Sequence, residues 1–184
     1  MKLEAETDED SGTCACTVLL SGLEITTAHT GDCRAIIAAG ITPQGDLAKT
    51  LTKKELTHDH RGEYPGEKER IYEAGGKLVD GRVNGGLIPS RTLGDRSHKV
   101  HNPGCVIAEP AIGHYSLQRE DQYLIMASDG LWDDMSSERV CGVVRKATKA
   151  QAAAEALARD VAKKYGGKHM DDFTCLVIRF LHQK

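Results

Sequence analysis

Aromatic side chains are scarce in this chain, with one Trp, two Phe and five Tyr among 184 residues. A length that fits one domain must then build its core from Leu, Ile, Val and Ala, for which an apolar content of 40% suffices. No basic block stands out and the net charge is −3, which argues against nucleic acid and anionic membrane as partners. No apolar run approaches membrane-spanning length. The opening Met1-Lys2-Leu3-Glu4-Ala5-Glu6 has no hydrophobic signal region, so a cytoplasmic or nuclear location is expected. Zinc-ribbon spacing is also missing: no second Cys/His pair follows Cys14-x-Cys16, and the six cysteines read as reduced, buried thiols. His58-x-His60 could set two rings on one strand face, but a structural role is the simpler reading.

What is present reads as strands grouped apart from helices. Residues 1–10 form an acidic, polar lead-in that is expected to be disordered. Three β-rich runs follow at residues 13–20, 23–30 and 33–39, separated by Ser21-Gly22 and Gly31-Asp32, and predict an antiparallel meander. A loop is expected over 40–49 and a strand over 51–56. A charged helix is expected over 66–74, with Ile71 and Ala74 inward and an end at Gly75-Gly76. Residues 77–104 are rich in Gly and Pro with little periodicity, which predicts a flap-like loop rather than core. Strands at 105–108, 112–116 and 122–127 precede two helices, one capped by Ser136 and one over 149–165. The second carries Ala154, Leu157, Ala158 and Val161 on one stripe. A final strand spans 173–178. Grouped strands with separated helices indicate an α+β domain over residues 11–184, with helices covering antiparallel sheets.

Four short segments carry the candidate chemistry. They are Gly31-Asp32-Cys33-Arg34, Ser90-Arg91-Thr92-Leu93-Gly94-Asp95, Ala127-Ser128-Asp129-Gly130 and Asp171-Asp172-Phe173-Thr174. Each sets a carboxylate at a strand end or glycine turn. A strand behind such a carboxylate holds it firmly, and a neighbouring glycine leaves room for close approach. Two strand-end carboxylates far apart in sequence suit a hard divalent cation, although Gly-Asp alone is an ordinary turn.

In this order the segments resemble the metal-dependent protein serine/threonine phosphatases of type 2C. The likeness also takes in Ser11-Gly12-Thr13, Leu56-Thr57-His58-Asp59-His60, Arg82-Val83-Asn84-Gly85-Gly86-Leu87, Glu109-Pro110 and Leu131-Trp132-Asp133, and so covers residues 11–180. The resemblance implies a sandwich of two antiparallel β-sheets flanked by helices. It also implies a centre of Mn²⁺ or Mg²⁺ ions that activates water against phosphoserine or phosphothreonine in a protein substrate. By position it implies Asp129 and Asp171 as ligands of a first metal and Asp32 as the acid of a weaker third site. Arg82 and Asn84 fall in the stretch that would form the flap beside the substrate. Asp95 reads as a structural turn acid.

The match also departs from the family. An upstream segment with a phosphate-binding arginine and an Asp-Gly-His-Gly element, whose aspartate bridges two metals, is not spelled in these 184 residues. The acids of residues 4–10 read as a solvated tail. Two expectations follow: weak metal binding on Asp129 and Asp171 alone, and unpaired sheet edges with exposed apolar face. Asp172 replaces the family's usual asparagine, which either strengthens cation attraction or raises a neighbouring carboxylate pKa. Two functional readings remain. One is a phosphatase whose remaining ligands come from an upstream segment or a partner. The other is a non-catalytic phosphatase-like domain that binds or regulates a phosphoprotein.

Overall fold

The run Ala35-Ile36-Ile37-Ala38-Ala39 is apolar on both faces, so it needs neighbours on both edges and cover on both sides. It lies in β4 (Arg34–Ile41), an inner strand of a four-stranded antiparallel sheet. Its partners are β5 (Leu47–Glu55), β10 (Asp121–Ala127) and β11 (Cys175–Arg179). A computed structural model of the chain describes residues 10–41, 44, 46–166 and 171–181. The remaining elements are β1 (Gly12–Thr13), β2 (Ala15–Ser21), β3 (Glu24–Thr30), β6 (Leu78–Val79), β7 (Arg82–Val83), β8 (Leu93–Gly94) and β9 (Ala111–Ser116), with helices α1 (Pro65–Glu73), α2 (Arg96–His101), α3 (Asp129–Trp132), α4 (Ser137–Val144) and α5 (Ala150–Tyr165). Antiparallel sheets with segregated helices make the chain α+β, as the strand grouping predicts.

Two compact units are distinguished. The first comprises residues 1–17, 28–32 and 58–112; the second comprises 18–27, 33–57 and 113–184. In the second, Val177, Ile125 and Ile36 lie in register across β11, β10 and β4. They form one row of a core that α4 and α5 complete with Val140, Cys141, Val144, Ala153, Leu157 and Val161. Ser136 caps α4 by accepting from the Arg139 amide at 3.3 Å, and α5 ends at Gly166 in the left-handed region (φ 55°). On α5 it is Ala153, not Ala154, that shares the buried stripe with Leu157 and Val161.

Several expectations change. The three-strand meander is not formed: β2 and β3 neighbour one another in a sheet ordered β2-β3-β9, while β4 pairs with β10 and β5. An apolar strand such as β4 belongs inside a sheet, whereas a meander's last strand would leave it at an edge. The loop expected over 40–49 is shortened, because β4 runs to Ile41 and β5 starts at Leu47. Residues 105–108 form only the isolated bridges Arg91↔Ile107 and Pro103↔Val106. Cys105 and Val106 instead enter a small core with Ile71 and Val83, so the 77–104 stretch supplies a core residue. On α1, Ile71 is buried but Ala74 is exposed, and the second buried residue is Glu67. Of the lead-in expected over residues 1–10, residues 1–9 lie outside those described. Asp10 accepts a hydrogen bond from the Ser97 amide at 2.7 Å. β2 and β11 are edge strands and expose Leu19, Leu20, Leu176 and Ile178. Among the described residues no helix is long and apolar enough to cross a membrane.

Candidate functional site

In the second unit, β10 delivers the chain to Ser128, and Ser128 binds the segment before β11 with three hydrogen bonds. Its Oγ donates to the Asp172 carbonyl (3.2 Å) and accepts from the Thr174 amide (3.1 Å), and its own amide donates to the Thr174 carbonyl (3.1 Å). Asp129 begins the short turn α3, which is held by the Asp133 amide on the Asp129 carbonyl (2.9 Å) and by Trp132 Nε1 on the Ala127 carbonyl (2.9 Å). Gly130 is required by close approach: a Cβ there would lie 2.3 Å from the Asp172 carbonyl oxygen. Asp129 and Asp171 are therefore carried on segments fastened to each other. Asp171 is exposed, and its Oδ1 accepts from the Asp172 amide at 2.8 Å. Asp172 contributes its carbonyl to the Ser128 contact and leaves an exposed side chain.

Two carboxylates on neighbouring turns are hard oxygen donors, and Mg²⁺-class ions are commonly held by one or two carboxylates with water and phosphate oxygens completing the shell. The donor set fits such an ion. Among the described residues, no group of three His, Cys, Asp or Glu side chains converges to hold one.

In the first unit, Asp32 follows Gly31, whose φ of 99° carries the chain out of β3. The carboxylate is buried, accepts from Cys14 Sγ at 3.3 Å and pairs with Arg61 Nη2 at 3.1 Å. An arginine thus meets its charge within the unit. Gly31 also donates its amide to His60 Nδ1 (3.2 Å), and the His60 ring stacks on His29 at 4.4 Å. Burial, reinforced by Arg91 and His29, pushes His60 down to about 4, which keeps Nδ1 an acceptor. His29 donates to the His58 carbonyl at 2.7 Å and is likewise lowered by burial. His60 is therefore a core histidine, not half of a ligand pair.

Arg82 and Asn84 lie on and just after the β6–β7 hairpin. Arg82 is exposed and donates to the Gly86 carbonyl (2.9 Å). Asn84 adopts φ 50°, and its Oδ1 accepts from the Lys77 amide (2.9 Å), which steadies the turn. Asp95 stands at φ 50° before α2, with its carboxylate against Gly12, where a Cβ would come within 1.9 Å.

Sequence reasoning missed Glu67. Its carboxylate accepts from Ser90 Oγ (2.5 Å), Arg70 Nη2 (2.7 Å) and Arg91 Nε and Nη2 (3.0 and 2.6 Å). Burial alone would raise its pKa, but the hydrogen bonds from Arg91, Ser90 and Arg70 outweigh it and hold the group at about 2. The i, i+3 spacing of Glu67 and Arg70 was the available signal.

With this geometry in hand, the chain matches the family model described as Protein phosphatase 2C over residues 1–170. It is 36% identical over 173 residues to Probable protein phosphatase 2C 2 of Oryza sativa subsp. japonica, covering 92% of this chain and 43% of that protein. It is 33% identical over 187 residues to Probable protein phosphatase 2C 59 of the same species, covering all of this chain and 52% of that one. The chain thus spans about half the length of these curated relatives. Among solved structures, a serine-threonine phosphatase 2C from Toxoplasma gondii superposes with a TM-score of 0.75 at 23% identity, over 91% of this chain and 58% of the other. A sex determining protein of C. elegans gives 0.70 at 20%, over 91% and 40%.

Proposed function

Because the chain belongs to the protein phosphatase 2C family, we propose that it carries the Asp129–Asp171 part of a metal centre that hydrolyses phosphoserine and phosphothreonine in proteins. The observation behind this reading is the Ser128 contact, which holds Asp129 and Asp171 on adjoining turns. A Mn²⁺ or Mg²⁺ ion bound there would lower the pKa of a bound water and offset negative charge on the phosphoryl oxygens. The chain's own part is positioning. β10 and the α3 turn fix Asp129, the Ser128 contact fixes the Asp171 segment, and Gly130 lets the two approach. Asp32 serves a weaker cation site, which is filled only at the expense of its Arg61 pair. Arg82, exposed on the 77–104 stretch, faces a phosphoprotein substrate, and Asn84 sets the shape of that stretch.

These 184 residues contain no Asp-Gly-His-Gly, so hydrolysis by this polypeptide alone should be slow. The same missing element admits a second reading, a non-catalytic domain that binds a phosphoprotein. Phosphate release from a phosphothreonine peptide separates the two. The catalytic reading expects release that requires Mn²⁺ and falls about 100-fold or more in Asp129→Ala, the scale on which loss of charge stabilisation acts. Peptide binding without release, equal in Asp129→Ala, would replace it with the non-catalytic reading.

A further inference from the structure

In a chain of net charge −3, one trough of the second unit collects cations from separate elements. It runs between β5, α4 and α5 as a cavity of about 430 Å³ that continues into one of about 280 Å³. The two share Val143, Lys146 and Asp160. Its acids are already matched: Glu138 pairs with Lys53 at 3.2 Å, and Asp160 with Arg139 at 3.7 Å and Lys163 at 3.8 Å. Arg159 is matched by Glu155 at 3.6 Å. Lys49, Arg145 and Lys146 have no ion pair among the described residues. Arg145 is also oriented, since its Nε donates to the Ala48 carbonyl at 2.6 Å and holds the guanidinium in one direction. Cations at the C-terminal end of α4 complement that helix's carbonyls, but Lys49 comes from β5 and has no such reason to be there.

We propose that this trough binds an acidic segment of a partner protein, with its carboxylates against Lys49, Arg145 and Lys146. Ala147, Ala152 and Ala156 give the trough a small-residue wall that leaves room for a peptide beside the cations. Among the described residues no aromatic side chain lines it to stack a nucleic-acid base. Among the described residues none of the large exposed apolar side chains lines it, as a membrane-binding face would require. Long-range attraction to an acidic segment acts here through local rather than net charge.

The inference stands on the trough alone and uses neither the metal site nor phosphatase activity, so it is tested without metal and with an unphosphorylated probe. Fluorescence anisotropy of a labelled Glu-rich peptide is measured against the whole chain, Lys49→Glu/Lys146→Glu, and the control Lys68→Glu/Lys77→Glu. The control makes the same change in net charge away from the trough. Lys49 and Lys146 are exposed, so circular dichroism should show both variants folded. Affinity is expected to fall about tenfold in the trough variant and less than about twofold in the control. Arg145→Lys, which keeps the charge and loses the fork, should fall between them. Equal loss in both charge variants would overturn the proposal. So would equal affinity for a neutral peptide, or tighter binding to phosphatidylserine vesicles or single-stranded RNA.

Discussion

Glu67→Ala is expected to lower the melting temperature by roughly 6–12 °C, a loss of about 3 kcal/mol in a chain of this size. The substitution leaves Arg70 and Arg91, both mostly buried, facing one another without the carboxylate between them. Breaking one partner out of a buried ion cluster costs more than the cluster contributes, because the remaining charges stay desolvated. Ser90 Oγ loses its acceptor as well. Glu67→Gln keeps an oxygen for Ser90 and one arginine but removes the charge, so its loss should be smaller. The pH dependence has a definite sign. Glu67 is held at about 2 in the fold against an ordinary 4.5, so its contribution is complete above pH 4.5. It is lost as the pH falls from there through 2. Thermal denaturation followed by circular dichroism between those limits measures it. A Glu67→Ala chain that melts with the parent, and has the same acid limb, would show that the arginines do not depend on it.

Gly130→Ala is expected to destabilise by about 1–3 kcal/mol and to weaken Mn²⁺ binding by about tenfold or more. The new methyl would stand 2.3 Å from the Asp172 carbonyl oxygen and 3.0 Å from its carbon, and both are backbone atoms that cannot rotate away. The segment bearing Asp171 must move instead, and the Ser128 hydrogen bonds must lengthen with it. Ser128→Ala removes the Oγ hydrogen bonds of that contact without adding bulk, and should weaken Mn²⁺ binding in the same direction. Calorimetry and melting on both variants separate displacement from simple loss of stability. If Gly130→Ala binds Mn²⁺ as the parent does, the close approach has no part in holding the two aspartates.

The α+β class and the caps of α4 and α5 were legible in the sequence because those signals are local. Ser136 and Gly166 sit where a cap and a left-handed end are needed, and strand runs stand apart from helical ones. Which strands pair was harder to read. The short turn Gly31-Asp32-Cys33 looks like a hairpin, yet it carries the chain from one sheet to another, and only the two-sided apolar character of β4 hinted at that. At the candidate site, the motifs singled out Asp129 and Asp171, and the hydroxyl that fastens their segments, Ser128, lay inside the same motif without any pattern marking its role. The surroundings of Asp32 were not legible, because Cys14 and Arg61 reach it from positions distant in sequence. Glu67 was hidden for the opposite reason. A charged residue on a charged helix reads as solvated until its tertiary partners are seen.

If Asp129 and Asp171 together hold a divalent cation, titration calorimetry of Mn²⁺ into the chain detects it without requiring turnover. Saturable binding is expected, lost in Asp129→Asn and equally in Asp171→Asn, with both variants folded by circular dichroism. A chain that takes up no Mn²⁺, or an isotherm that neither substitution changes, would show that these two aspartates are not its ligands.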